Sequence, residues 1–165
     1  MGEELTRWTA WLAMGALGAG AAASLRAAPA QVALERSNRR LWTLACGLLW
    51  IHVACAFQFQ HHWSHAAAFA HTARQTAEFI GLEWGGGLYF NYLLLLVWTG
   101  DTAWWWTGPQ SYRKRPAFVR WFVNGFLTFM AFNAAVVFAA GPLRWLALGI
   151  MLILGVWANR RRTGA

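Results

Sequence analysis

Five apolar segments, separated by short connections that carry most of the cations, leave this chain few folds to choose from. They cover residues 8–25, 41–60, 88–106, 118–140 and 143–158. Each is near the ~20 residues a helix needs to cross a hydrocarbon layer of ~30 Å, the last being short. In lipid the backbone has to pair within its own segment, which makes these segments helices. Pro29, Pro109, Pro116 and Pro142 all fall between segments, where a residue that breaks helices does no harm. The expected fold is all-α: a single membrane domain over residues 1–165, built as a polytopic bundle of about five transmembrane helices. Between the second and third spans, residues 61–80 form an external His-rich amphipathic helix.

Composition enters where it separates this reading from others. Only 12% of the residues are charged, against about one quarter in a soluble domain. Thirteen tryptophans, most near the ends of apolar runs, suit the headgroup layer that indoles prefer. The net charge of +8 would suit nucleic acid if the cations formed one surface. They sit instead in short clusters beside apolar segments, so the expected partner is the lipid bilayer and nucleic acid is excluded. Cys46 and Cys55 lie in one apolar segment, ~13 Å apart on a helix, too far for a disulfide.

Charge also sets an orientation. Arg26, Arg36, Arg39 and Arg40 precede the second span, Arg113, Lys114, Arg115 and Arg120 flank the start of the fourth, and Arg160, Arg161 and Arg162 follow the fifth. A five-pass path puts all eleven on one side and leaves Arg7, Arg74 and Arg144 on the other. By the positive-inside rule the N-terminus and the His-rich segment lie outside, and the C-terminus is cytoplasmic. The first segment has a second reading as a signal peptide ending near Ala27 and Ala28, which leaves four spans. Against it, Glu3 and Glu4 stand in the leading region, and cleavage puts Arg36–Arg40 outside. Two stripes of small residues, Gly15, Ala19, Ala23 and Ala16, Gly20, Ser24, suit close packing of a retained span.

Residues 58–87 hold four of the five histidines. Without Gly or Pro from 48 to 80, the second span either continues outward as one long helix or bends near His61–Ser64. At 100° per residue, His61, His62 and His65 share a sector with Phe69, Thr72 and Thr76, whereas His71, Arg74, Gln75 and Glu78 fall opposite. Ala66, Ala70, Ala73 and Ala77 make a smooth stripe for helix packing, and Arg74–Glu78 is an i,i+4 pair on the surface. His61 and His65, one turn apart, have the spacing with which a helix chelates a transition metal, so His61, His62 and His65 are the candidate metal ligands. A metalloprotease motif would need Glu where His62 stands. The plain alternative places these imidazoles in the headgroup layer, bonded to water and lipid.

His52 lies inside the second span, where an ionisable group faces a partner or a cavity. It is either a hydrogen-bonded core residue or a ligand of haem b, which needs a second histidine from a loop or another subunit. Gln58, His71, Glu78, Glu83, Asn91 and Asn133, with Tyr92 beside them, gather near the outer side as a candidate polar pocket. On the inner side Asp101 is placed to pair with Arg120 or Arg113. No nucleophile–base pair, nucleotide loop or CxxC motif occurs.

The run HHWSHAAAFAHTARQTAEFIGLEWGGGLYFNYLLLLVWTGDTAWWW resembles uncharacterised bacterial multi-pass membrane proteins, over about Leu41 to Arg160. The resemblance implies a module of the bacterial inner membrane and brings no activity with it. The expected function is that of a non-enzymatic accessory or interaction subunit of a membrane assembly. A metal- or haem-binding redox protein is the first alternative and a small transporter the second.

Overall fold

The computed structural model describes residues 2–26 and 32–134, with Trp145, Gly149, Leu152, Ile153 and Val156 as isolated helical positions. Among these residues the structure is all-helical. The order is α1 (Gly2–Arg26), α2 (Val32–Ala56), a π-helical turn (Phe57–His61), α3 (His65–Ile80), α4 (Gly87–Thr107), α5 (Pro109–Arg113) and α6 (Ala117–Phe132). The second expected segment lies in α2 and the π-turn, the third in α4, and the fourth begins in α6. The fifth, 143–158, lies almost wholly outside the described residues. Among them, one helix is long and apolar enough to cross a membrane, the continuous run Glu35–His61.

α1 and α2 pack antiparallel, because His52 near the end of α2 meets Thr6 and Thr9 near the start of α1. The seam follows a heptad-like spacing: Thr6, Thr9 and Ala13 on one helix, and Asn38 and Ala45 on the other, are all buried. The threonines can sit there because their hydroxyls donate back along their own helix, Thr6 to the Gly2 carbonyl and Thr9 to Leu5. The small-residue stripes read from the sequence are described only in part. Gly15 and Ala19 are exposed, Ala16 is packed against the core, and the side chains of Gly20, Ala23 and Ser24 lie outside the described set.

α4 runs antiparallel to α2. Their contact centres on Trp42 and Trp98, with ring centroids 5.4 Å apart. Trp50 Nε1 donates to Thr99 (2.9 Å) and Trp106 Nε1 to Thr43 (2.8 Å), so indoles tie the two helices at both ends. α6 adds Val123 and Leu127 to the same core, which with Ala45, Cys46 and Trp98 is built mostly from small and medium side chains. Cys46 packs there as a free thiol, and Cys55 is free as well.

The chain does not continue as one straight helix beyond α2. It bends at His62–Ser64, as one of the two sequence readings had it. His62 (φ 48°) and Trp63 (φ 57°) take left-handed backbone, and the Ser64 hydroxyl then caps α3 by accepting from the Ala67 amide. α3 lies against the start of α4 through His65 and Phe69, which meet Tyr92 and Tyr89, and it buries Ala68 and Ala73. Of the expected stripe, Ala73 is buried and Ala77 half-buried, whereas Ala66 and Ala70 are exposed and Ala68 is buried in their stead. α3 ends on Gly81, whose φ of 75° suits only glycine at little strain. Gly85 permits the return into α4, since a Cβ there would meet the Phe69 carbonyl and ring at 2.6 Å.

Candidate functional site

Polar side chains concentrate at the two ends of the α2–α4 pair. At one end stands Asp101, with a side chain only 2% exposed. A carboxylate removed from water persists as an ion only if its lone pairs are met. Here the Trp42 indole N–H (3.0 Å) and the Tyr112 hydroxyl (2.9 Å) donate to Oδ2, and Arg115 Nη1 donates to Oδ1 at 3.0 Å. The Arg115 guanidinium lies 3.7 Å over the Tyr112 ring, which itself stacks on Trp105 at 4.8 Å.

The sequence-based partner of Asp101 is therefore corrected. Its ion pair is with Arg115, whereas Arg120 is exposed and Arg113 pairs with Glu35 at 2.9 Å. The cause is local chain path: Gly108 and Pro109 end α4 and start the one-turn α5, and this reversal carries Tyr112 and Arg115 back over Asp101. Arg120 lies beyond Pro116, one turn into α6. Tyr112 and Trp42 were also missed. The available signal was the Gly-Pro pair followed by a cation-rich connection shorter than ten residues. Burial, together with the adjacent Asp101 charge, raises the Tyr112 phenol above its ordinary value.

At the opposite end the histidines separate. The bend at His62 and Trp63 breaks the helical sector that would have held His61, His62 and His65 together. His65 turns to α4, where its Nδ1 lies 3.0 Å from the Tyr92 hydroxyl and its ring stacks on Tyr92 at 5.9 Å. His62 is exposed. His61 is buried, and its histidine neighbour is His71, with ring centroids 5.3 Å apart. Among the described residues no group of three or more His, Cys, Asp and Glu side chains is placed to hold a metal ion. The HHxxH ligand set is thus not assembled.

The polar pocket is not assembled either. Gln58 accepts from the Trp63 indole at 2.8 Å, and Asn133 donates to its own helix at the Phe129 carbonyl (2.8 Å). Glu78, Glu83 and Asn91 are exposed, and among the described residues Arg74 and Glu78 form no ion pair. What the fold brings together from that set and the metal set is one pair, His61 and His71.

His52 is held by α1. Its Nδ1 lies 3.0 Å from the Thr6 carbonyl, which can only accept, so Nδ1 carries the proton and Nε2 the lone pair. Its hydrogen-bond partners are Thr6 and Thr9, both on α1. No family model, curated protein or solved structure matches the chain.

Proposed function

We propose that this chain is a multi-pass protein of the bacterial inner membrane that serves as a non-enzymatic packing subunit of a larger membrane assembly. One observation carries the reading: large apolar side chains stand exposed on the outer faces of α2, α4 and α6. Trp50 and Ile51 on α2, Leu93 and Leu96 on α4, and Phe118, Phe122 and Phe129 on α6 are all well exposed. A chain that leaves such a surface in water would aggregate, whereas lipid or a partner helix covers it without cost.

The hydropathy pattern and the cation asymmetry support five spans, with the N-terminus and α3 outside and the C-terminus cytoplasmic. Arg39, 4.0 Å over the Trp106 ring, and the exposed Arg36, Arg40 and Lys114 suit the level of anionic headgroups. In lipid, helices associate through close contact and interhelical hydrogen bonds. Two such bonds are described: His52 to the Thr6 carbonyl joins α2 to α1, and at the exposed edge Trp50 to Thr99 joins α2 to α4.

The test is site-specific photocrosslinking in intact membranes from Phe118, Phe122 and Phe129. Adducts of one defined mass, from another membrane subunit or a second copy, are expected on one side of α6. Lipid adducts alone from all three positions would overturn the subunit reading, as would intrinsic turnover by the purified chain.

A further inference from the structure

His61 and His71 reach each other from separate elements, the π-turn after α2 and the middle of α3. Their ring planes are inclined by 59°, with centroids 5.3 Å apart. Neither ring makes a hydrogen bond among the described residues, and no carboxylate pairs with either. Two imidazoles that meet without a polar partner leave ring nitrogens to be satisfied by water or by a cation that accepts nitrogen ligands.

The backbone between them is held in an uncommon state. A left-handed φ is tolerated by histidine at position 62, but for a bulky residue such as Trp63 it is an outlier. Such residues cost ~1–3 kcal/mol each and persist where their surroundings over-determine them, often at ligand clamps. Here the surroundings are visible. The His62 amide donates to the Phe57 carbonyl, as does that of Trp63 at 3.0 Å, and the Trp63 indole is fixed by Gln58. Phe57 presents its ring to the edge of His61 at 5.6 Å and stacks on Tyr92 at 6.4 Å. The turn therefore holds His61 toward α3, with the Phe57 ring against it.

We propose that His61 and His71 bind one Zn²⁺ ion, with water completing a tetrahedral shell. A zinc–nitrogen bond of ~2.0–2.1 Å puts each ring centroid ~3.2 Å from the metal. Ring centroids 5.3 Å apart lie within the ~6.4 Å that two such bonds can span, so one ion fits between a nitrogen of each ring. The site differs from the HHxxH set expected from sequence: it keeps His61, drops His62 and His65, and takes its second ligand from ten residues further on.

The experiment is calorimetric titration of Zn²⁺ into the full chain, purified in detergent and stripped with chelator, with Co²⁺ as a spectroscopic probe. One equivalent per chain is expected, and Co²⁺ should give the intense visible bands of tetrahedral coordination. His61→Ala and His71→Ala should each weaken binding at least tenfold, whereas His62→Asn and His65→Ala stay within twofold. His71 lies mid-helix and half-buried, so its variant remains informative if His61→Ala fails to fold. Wild type without saturable binding below ~1 mM, octahedral Co²⁺ bands, or undiminished affinity in the His71 variant would each overturn the site. A chain that binds no zinc can still be a packing subunit, so this result and the crosslinking result are separable.

Discussion

Asp101 and His61 occupy opposite ends of the same helix pair and show opposite treatments of a buried ionisable side chain. Asp101 is met by the Tyr112 hydroxyl and the Arg115 guanidinium, eleven and fourteen residues along the chain, and by the Trp42 indole from α2. His61 is walled by Phe57 on one side and on the other meets only a second imidazole. The first arrangement leaves nothing for a ligand and holds helices together. The second leaves nitrogen lone pairs unassigned and spends backbone strain to do so. In a chain with few charged groups, the difference tells structural polarity from available polarity.

The comparison can be broken most directly at the satisfied end. Asp101→Ala strands Arg115, whose side chain is only 10% exposed, and two polar donors, and should destabilise the bundle by ~3–5 kcal/mol. Denaturant unfolding in detergent micelles checks this; a loss below ~1 kcal/mol would mean the cluster is solvated and not structural.

Tyr112→Phe removes one hydrogen bond to a charged group and should cost ~1.5–3 kcal/mol. It also carries a pH signature. The Tyr112 phenol is raised in the folded state, so its contribution is fully present below the unfolded value of about 10. As pH rises past that, the unfolded chain gives up its proton first and stability falls. Unfolding free energies of the wild type and Tyr112→Phe should therefore converge between pH 9 and about 12. Parallel curves would remove Tyr112 from the cluster.

At the other end the effects are smaller. Ser64→Ala deletes the cap of α3 and should cost ~1 kcal/mol, read as faster amide exchange over residues 65–68. His71→Ala, with no hydrogen bond to lose, should change stability by no more than ~0.5 kcal/mol in the absence of metal. A large cost there would make His61–His71 a structural contact like Asp101, and would erase the contrast.

Much of the helical layout was legible from residue order, because a helix in lipid or in a core is written in one continuous apolar run. Residues 88–106 became Gly87–Thr107, with Pro109 opening α5 and Pro116 just ahead of α6. The bend near His61–Ser64 was legible only as one of two options. No Gly or Pro marks it; the deciding contacts are non-local, with Phe57 stacked on Tyr92 and His65 bonded to the same hydroxyl. For that reason the candidate metal ligands were grouped on a helical sector that does not exist. A wheel assumes the backbone continues, and two left-handed residues end it.

The ion pair shows the same limit at shorter range. A lone acid in an apolar segment demands a cation, and the sequence already says that Asp101 must find one in the connection after Trp106. Which cation it finds depends on the handedness of a single turn at Gly108–Pro109, and that turn selects Arg115 over its neighbours. By itself, then, the amino-acid sequence determined an all-helical chain with outward-facing apolar residues, because hydrophobic periodicity and backbone pairing are local. Only the tertiary structure decided which polar side chains meet. Those meetings depend on where two short irregular turns send the chain, and in each turn a few dihedral angles choose among residues of similar chemistry.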